Sequence, residues 1–272
     1  MTIGSKKFDI GSRTFIVGIL NVTPDSFFDG GKHNVVKDAI TRALGMIKEG
    51  ADIIEIGGES TRPGHDNVSA DDQLKRVLPV LQELTKLTDV PISIDTSLAD
   101  VARATLENGA SMINDVWAFS KDPELANVCA LHGAVCCTMH NRNNMDYSNI
   151  LQDIKSDLTS SINILKKAGI ADDKIITDPG IGFAKTAEDN ILVLQNLTKF
   201  TSMPYPLMLG TSNKSFIGKT IGLDVHDRLE ATLTTTALGI SQGVSFIRVH
   251  NVKENKKAAM MADALVRKCA NG

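Results

Sequence analysis

The apolar runs FIVGIL (15–20) and DIIEIG (52–57) decide the fold of this 272-residue sequence. Each run is a continuous hydrophobic stretch of strand length, as expected for a strand that is buried on both faces. Between them, apolar residues recur at helical spacing over 34–49, and Gly50 follows as a helix-terminating signal. The stretch therefore predicts two parallel strands joined by a helix.

This strand–helix unit repeats along the whole chain. Further strands are predicted at 91–95, 111–114, 134–139, 174–178, 206–209 and 245–249. The later helices are predicted at 71–87, 98–108, 123–131, 148–168, 187–197, 226–241 and 253–270. Eight units at a repeat of roughly 34 residues predict the α/β class and a (β/α)8 TIM barrel, a single domain over 1–272. A short N-terminal β-hairpin is predicted over 8–15, and an open doubly wound sheet is the alternative architecture.

The composition is that of an ordinary globular protein, with 42% hydrophobic and 22% charged residues. The formal net charge of −3 argues against a nucleic-acid partner, which would require a basic excess. The 4 cysteines form no C-x-x-C pair and are interpreted as reduced thiols. No stretch has the pattern of a signal peptide or a membrane span, so a cytoplasmic protein without a membrane partner is expected.

Polar residues follow nearly every predicted strand, at the rim where a barrel builds its active site. They are amides, carboxylates, hydroxyls and cations: Asn21, Asp95, Asn114, His140, Asp178, Lys214, Ser215, Arg248 and His250. Helix capping is the alternative explanation for Asp95 and Ser97. Capping does not explain polar groups at successive strand ends, so the sequence predicts one shared site. Segments 21–31 and 57–66, rich in Gly, Pro and Ser, are predicted as loops that close over it.

Two short motifs resemble nucleotide-binding loops and are rejected. Residues 180–185 (GIGFAK) lack the final glycine of the dinucleotide fingerprint, and they do not belong to a first strand–helix–strand unit. Residues 218–220 end like a phosphate-binding P-loop, but Asn213 stands where that motif has glycine. The sequence therefore predicts neither kind of nucleotide site.

The polar groups suit an anionic group and a flat heterocycle. Arg248 and His250 lie two apart on a strand and face the same way, which suits a phosphate or diphosphate. The alternative for Arg248 is an ion pair with an acid inside the barrel. The carboxylates Asp95 and Asp178 suit the N–C–N edge of a heterocycle, with Asn114 on a neighbouring edge.

Eight stretches resemble the dihydropteroate synthase family, which acts in folate biosynthesis. They run in the family's order from residue 21 to residue 252: NVTPDSFFDGG (21–31), EIGGESTRPG (55–64), SIDTS (93–97), IND (113–115), MH (139–140), DPGIGF (178–183), SNKSFIG (212–218) and RVHNV (248–252). The resemblance implies a cytoplasmic, homodimeric TIM barrel that is a sulfonamide target. It also implies the condensation of 6-hydroxymethyl-7,8-dihydropterin diphosphate with p-aminobenzoate, giving 7,8-dihydropteroate and pyrophosphate.

The resemblance carries roles residue by residue. It implies that the pterin binds to Asp95, Asn114, Met139, Asp178 and Lys214. It implies that the diphosphate binds to Asn21, Arg248 and His250, with Asn21 as the protein ligand of a Mg²⁺ cofactor. The p-aminobenzoate side is implied to consist of Phe27, Thr61, Arg62, Pro63, Phe183, Lys214 and Ser215.

The mechanism implied is dissociative, with pyrophosphate leaving before the amine attacks. Asp95, Asp178, Lys214 and Arg248 are the implied catalytic groups, because they stabilise the leaving group and the pterin cation. The sequence departs from the family at Asn213, where Arg is frequent, and at Phe28, where Ser is common. Both departures are interpreted as changes in affinity.

Two other functions stay open. A methyltetrahydrofolate–corrinoid methyltransferase shares the pterin-binding barrel, but it does not need the Arg248 and His250 pair. A non-catalytic pterin-binding subunit would be expected to have lost Asn21, Lys214 or Arg248, and all three are present.

Overall fold

A computed structural model of the protein describes residues 1–22, 32–59 and 68–267. Within this part of the chain, eight parallel strands form the central sheet. They are β3 (Phe15–Asn21), β4 (Ile53–Gly57), β5 (Ile92–Asp95), β6 (Met112–Asp115), β7 (Val135–Met139), β8 (Ile175–Asp178), β9 (Met208–Leu209) and β10 (Phe246–Val249). Each lies within a residue or two of its predicted position.

The sheet curls into a nearly closed barrel. Its strand order is β8-β7-β6-β5-β4-β3-β10-β9. Strands that follow one another in the chain therefore lie side by side, and the last strand, β10, pairs with β3, the first strand of the ring. The two outer strands meet where Thr177 pairs with Leu207, and the Thr177 amide donates to the Pro206 carbonyl at 3.0 Å. This contact confirms the predicted barrel and excludes the open doubly wound sheet.

Helices surround the barrel between successive strands. They are α1 (Lys32–Glu49), α2 (Ala70–Leu87), α3 (Ala99–Glu107), α4 (Leu125–Leu131), α5 (Ile150–Lys167), α6 (Ala187–Gln195), α7 (Thr198–Thr201), α8 (Ser215–Ile221), α9 (Leu229–Ser241) and α10 (Val252–Val266). None of these described helices is long and apolar enough to cross a membrane.

The short helix α8 is a difference from the sequence prediction, which had no helix between 209 and 226. Its Phe216 and Ile217 are buried, and Gly222 ends it in the left-handed conformation, at φ 73°. With fewer than eight residues, the helix is too short to give a periodic signal. The packing of two apolar side chains stabilises it.

The N-terminal hairpin is present, but its predicted position over 8–15 is wrong. The hairpin pairs β1 (Thr2–Ile3) with β2 (Lys6–Lys7), and Gly4 turns at φ 56°. Residues 8–15 instead carry Phe8 under the barrel, where its ring lies 4.9 Å from that of Phe15. Burial of an aromatic ring at the barrel base outweighs the local turn signal of 11–12.

Alternation along the strands divides the apolar residues into two layers. One layer packs against the surrounding helices. It consists of side chains at even-numbered positions of β3, β4 and β5, such as Ile16, and at odd-numbered positions of β6, such as Ile113. The opposite positions point into the barrel, where the lower interior is filled by Phe15, Val17, Ile53, Met112, Val135, Cys137, Ile176, Met208 and Phe246. The same alternation points the next residues along these strands into the upper interior, where the polar side chains lie.

Candidate active site

The strand register aligns the predicted polar residues near the carboxyl ends of the strands. Asn21 pairs with Gly57, Gly57 with Asp95, and Asp95 with Asn114 across three consecutive strand pairs. On the next pair but one, Met139 lies opposite Asp178. The side chains therefore converge at the carboxyl ends of the strands because of register and alternation together.

Three of these side chains line the upper interior as a group of acceptors. Asn114 Nδ2 lies 3.4 Å from Asp95 Oδ1, and the Gly180 amide donates to Asp178 Oδ1 at 2.7 Å. The other oxygens, Asn114 Oδ1 and Asp178 Oδ2, are buried without a hydrogen-bond partner among the described residues. A buried acceptor without a partner costs free energy, so both oxygens are suited to a ligand's N–H groups.

Asp95 does not serve as a helix cap. Helix α3 begins after Leu98, whose side chain makes no capping bond, and the first amide of the helix, at Ala99, donates to Asp122. Ser97 instead donates to Asp115. The capping alternative for Asp95 and Ser97 is therefore wrong, and Asp95 is left facing the barrel interior.

Arg248 lies at the floor of the site in an ion pair. Its Nη1 is 3.3 Å from Oε1 of Glu55 on β4, and both side chains are buried. This confirms the alternative in which Arg248 pairs with an acid inside the barrel. Its Nε is nevertheless buried with no partner among the described residues, so one donor stays available to an anion.

The backbone makes room for this guanidinium. A Cβ atom at Gly210, just beyond β9, would lie 3.0 Å from Arg248 Nε. Any larger residue at 210 would press on this unpaired donor and on Nη2, which would lie 3.3 Å from the added Cβ atom. The absence of a side chain at Gly210 therefore allows the backbone to lie close to the guanidinium.

Lys214 stands at the start of α8, near the carboxylates Asp95 and Asp178 and an aromatic ring. Its Nζ lies 4.0 Å from the centroid of the Phe183 ring. Burial, and then the like charge of Arg248, lower the pKa of Lys214 to about 7, despite the opposing pull of Asp178 and Asp95. Such an amine changes its charge near neutral pH.

The interior holds several buried acids close to the buried cations. Burial, and then the charge of Glu55, raise the pKa of Asp95 to about 7. Burial also raises the pKa of Asp178 and of Glu55, against the favourable charge of Arg248 in both cases. Burial also disfavours the cation of Arg248. The negative charges of Glu55, Asp178 and Asp95 outweigh that effect, so the pKa of Arg248 is raised. The carboxylates are thus poised to gain from a ligand that donates N–H bonds.

The remaining predicted residues lie around these groups. His250 Nδ1 lies 2.9 Å from Ser212 Oγ, which joins the end of β10 to the loop before α8. Met139 and Phe183 pack with Val116 in a small apolar cluster beside the acceptors. Ser215 is exposed at the first position of α8, next to Lys214. The site thus combines an apolar wall with a dense polar floor.

This chain is similar in sequence and in fold to several dihydropteroate synthases. A model of the family described as pterin binding enzyme matches residues 17–250. The dihydropteroate synthase of Clostridium beijerinckii is 50% identical over 269 residues, covering 98% of this chain and 100% of that protein. A crystal structure of dihydropteroate synthase from Clostridium difficile in the presence of pteroic acid has a TM-score of 0.94 and 49% identity, covering 96% of this chain and 100% of that one.

The chain belongs to the dihydropteroate synthase family. A third relative, the dihydropteroate synthase of Xanthomonas albilineans with 4-aminobenzoic acid, has a TM-score of 0.89 and 35% identity, covering 93% of each chain. Membership makes this chain an enzyme of the transferase class. The sequence resemblance to this family is therefore confirmed.

Several predicted residues of the dihydropteroate synthase site lie outside the described residues. They are Phe27, Thr61, Arg62 and Pro63, all predicted for the p-aminobenzoate side, together with the departure at Phe28 and the closing loops. Their roles stay predictions.

The family departure at Asn213 has a backbone explanation. Asn213 adopts a left-handed conformation at φ 58°, which asparagine tolerates better than most residues. Its carbonyl accepts from Arg228 Nη1 at 3.1 Å and its amide donates to Thr232 Oγ1 at 3.4 Å. Asparagine therefore suits the turn that precedes Lys214.

Sequence reasoning missed two charged residues of the site, Glu55 and Lys185. The usable signal for Glu55 is an acid at an inward position, flanked on both sides by the apolar residues of 53–57. Lys185 lies in the GIGFAK stretch, and no sequence signal points to its burial. It is buried beneath the loop after β8, where its Nζ contacts the Gly180 and Phe183 carbonyls and His140.

Proposed function

We propose that this enzyme condenses 6-hydroxymethyl-7,8-dihydropterin diphosphate with p-aminobenzoate, giving 7,8-dihydropteroate and pyrophosphate. One observation carries the proposal. Asn114 Oδ1 and Asp178 Oδ2 are buried without partners in the described part of the chain, and they lie with Asp95 at the carboxyl ends of three barrel strands. A pterin supplies N–H groups along one edge that match such acceptors, and its flat ring fits beside Met139 and Phe183.

The pterin ring is held as a hydrogen-bond donor and later as a cation. Asp178 accepts hydrogen bonds from the N–C–N edge of the pterin. Asn114 forms hydrogen bonds with a neighbouring edge, and Lys214 donates to the ring carbonyl. Ionised carboxylates at Asp95 and Asp178 stabilise the positive charge that develops on the ring. Burial raises the pKa of both carboxyl groups in the protein without substrates. Hydrogen bonds from the N–H groups of the pterin oppose this effect, because they favour the ionised carboxylates.

The reaction begins when the bond between the 6-methylene carbon and the diphosphate oxygen breaks. The electron pair leaves with pyrophosphate, and the pterin methylene is left as a delocalised cation. Arg248 and His250 bind the departing diphosphate, the former through the Nε that Glu55 does not use. The amine of p-aminobenzoate then attacks the methylene carbon and releases a proton, so no side chain of the protein becomes covalently bound.

Mg²⁺ is the proposed cofactor, and Asn21 is the residue that would hold it. Among the described residues, no group of three His, Cys, Asp or Glu side chains forms a metal cage. Mg²⁺ does not require one, because one or two protein oxygens suffice when substrate phosphates supply others. Asn21 offers an amide oxygen next to Gly57, where a Cβ atom would lie 3.5 Å from it. Bound there, the ion would neutralise charge on the diphosphate.

The p-aminobenzoate side is proposed to lie between Phe183, Lys214 and Ser215 at the start of α8. Lys214 is then placed between the two substrates, since its ammonium lies over the Phe183 ring. Sulfonamides share the aniline of p-aminobenzoate, so we expect them to compete for the same place.

A homodimer is the proposed assembly, formed through α9 and α10. These helices pack side by side, and they expose Leu238, Met260, Met261 and Leu265 to solvent. Neighbouring exposed apolar residues on two adjacent helices are typical of a protein–protein interface.

The deciding experiment measures pyrophosphate release by the purified protein with pterin diphosphate, Mg²⁺ and p-aminobenzoate, each omitted in turn. Release together with dihydropteroate is expected only when all three are present. Lys214→Ala should lower kcat/KM for both substrates by about 100-fold or more, because a preorganised charge is lost from the reacting region. Normal turnover of this variant would remove Lys214 from the mechanism.

The two other candidate functions give different results in the same assay. Tight pterin binding without pyrophosphate release would indicate a non-catalytic subunit. Methyl transfer from methyltetrahydrofolate to a corrinoid would indicate the methyltransferase. Neither is expected, since a diphosphate-binding pair such as Arg248 and His250 serves neither function.

A further inference from the structure

Lys185 is a buried lysine whose Nζ lies within hydrogen-bond distance of three acceptors. Its side chain is only 7% exposed. Nζ lies 2.9 Å from the Gly180 carbonyl, 3.1 Å from the Phe183 carbonyl and 2.9 Å from His140 Nδ1. Burying an ammonium costs several kcal/mol unless every donor is satisfied. An apolar side chain would fill the same space without that cost, so these polar contacts are what distinguishes the lysine.

Two of these contacts hold the loop that follows β8. The Gly180 amide donates to Asp178 Oδ1 at 2.7 Å, so the glycine whose carbonyl Lys185 holds also contacts a carboxylate of the pterin side. The Phe183 peptide carries the ring on which the Lys214 ammonium rests. Lys185 thus contacts the backbone of the segment that positions groups for both substrates.

The loop would not keep this shape by itself. Gly180, Gly182 and Ala184 have φ values of 69°, 82° and 44°, all in the left-handed region. For Ala184, such a conformation costs free energy, which the surrounding contacts must offset. The lysine supplies two of those contacts from inside the loop.

The third contact ties the loop to the neighbouring strand. His140 directly follows β7 and is buried, and its Nε2 lies 3.1 Å from Asp157 Oδ2 on α5. Burial, and then the charge of Lys185, lower the pKa of His140 to about 3, so the imidazole is neutral. A neutral ring that accepts at Nδ1 carries its proton at Nε2 and donates it to Asp157. Asp157 also accepts from Arg142 Nε at 2.6 Å.

We propose that Lys185 is a positioning residue for both substrate pockets, because it links the loop after β8 to His140 and thereby orients Asp178 and Phe183. Lys185 itself contacts neither substrate. The naming of the substrates rests on the proposed function, whereas the effect on the loop does not.

The test compares Lys185→Met with the wild-type enzyme. Methionine keeps an unbranched apolar stem of four heavy atoms but lacks Nζ and its donors. We expect KM for the pterin diphosphate to rise about 10-fold and kcat to fall about 10- to 100-fold, because displacing a positioned group by an ångström has effects of that size. Backbone amide exchange in residues 179–185 should increase about 10-fold or more, since the loop loses its anchor.

The control is Lys174→Met at the opposite end of the barrel. Lys174 also donates to a backbone carbonyl, that of Thr2 at 3.1 Å, but far from the site. This variant should leave KM, kcat and exchange in 179–185 unchanged. If Lys185→Met folds with wild-type kinetics and wild-type exchange, the positioning role is overturned, and lower thermal stability alone would identify a merely structural lysine.

A second pair of variants decides the question if Lys185→Met does not fold. His140→Asn keeps an acceptor near Lys185, whereas His140→Leu removes it. We expect His140→Leu to raise KM for the pterin diphosphate several-fold more than His140→Asn does. Equal KM values for the two would overturn the link through His140.

Failure of the proposed function would look different. Wild-type protein without turnover would contradict the proposed reaction, while the amide exchange of 179–185 would still decide the role of Lys185. Normal wild-type turnover with unchanged exchange in Lys185→Met would contradict only the positioning role.

Discussion

Arg248 shows how one residue serves both the barrel and its chemistry. One side of its guanidinium pairs with Glu55, and its Nε remains without a partner among the described residues. Glu55 therefore holds the arginine side chain in place inside a barrel where a lone cation would be costly. Pairing with an acid and binding of a diphosphate are compatible, although the sequence presented them as alternatives.

A double-mutant cycle separates these two roles. Arg248→Met leaves Glu55 buried and unpaired, so we expect it to lower the free energy of unfolding by about 2–4 kcal/mol. Adding Glu55→Gln should recover most of that loss but none of the affinity for the pterin diphosphate. Chemical denaturation and the binding of the pterin diphosphate measure the two effects. Recovery of both, or of neither, would contradict the division of roles.

Asp95 predicts a pH dependence of stability in the protein without substrates. The pKa of Asp95 rises from 3.8 to about 7 on folding, so the folded state keeps a proton that the unfolded state loses. Its contribution therefore lowers the free energy of unfolding as pH rises from about 4 to 7, and the cost is complete above that range.

The Asp95→Asn side chain does not ionise, so the variant lacks the cost in unfolding free energy that Asp95 causes above pH 7. We expect it to lose catalytic activity as well. We expect the variant to be more stable than wild type by about 1–2 kcal/mol at pH 8, with no difference at pH 3. Thermal unfolding at the two pH values measures it, with Asp89→Asn, an exposed aspartate, as the control. A variant that is less stable at pH 8 would contradict the raised pKa.

At the scale of elements, the loop from β8 to α6 is the part of the site built from backbone conformation. Gly182 has φ 82°, and a Cβ atom there would lie 2.9 Å from Lys214 Cδ. Because Gly182 has no side chain, the loop after β8 lies close to Lys214, which follows β9. This contact links two strand–helix units that lie next to each other in the ring.

Gly182→Ala tests the link between these units. The variant should lose about 1 kcal/mol of stability from the left-handed conformation and about 10- to 100-fold in kcat/KM from displacement of Lys214. Gly169→Ala is the matched control, because Gly169 also has positive φ, at 96°, but a Cβ atom there meets nothing within 4 Å. Equal activity losses in the two variants would show that strain alone, and not contact with Lys214, is responsible.

At the scale of the whole molecule, the exposed apolar residues of α9 and α10 predict the assembly. Met261 and Leu265 lie four positions apart on one face of α10, with 61% and 73% of their surfaces exposed. We expect the wild-type protein to sediment as a dimer, and Met261→Lys with Leu265→Lys to weaken dimerisation by about 100-fold or more. Leu131→Lys, at an equally exposed leucine on α4, should sediment as wild type does. A monomeric wild-type protein would contradict the proposed homodimer.

The sequence by itself determined the barrel and most of the polar residues at its rim. Apolar strands alternating with amphipathic helices are a local signal, and the eight strands lie where that signal predicts them. Residues such as Asp95, Asn114 and Asp178 were found because each follows a strand, and position after a strand is also local information. The misplaced hairpin and the unpredicted α8 are short elements, for which local signals are weakest.

Only the tertiary structure decided which of these residues touch and what charge they carry. The pairing of Arg248 with Glu55, and of Lys185 with His140, depends on strand register and on the loop after β8, which bring together residues 193 and 45 positions apart. The shifted pKa values depend on burial, because removing a charge from water costs free energy that no sequence pattern records. The sequence determined which groups reach the rim of the barrel, and packing determined how they act together.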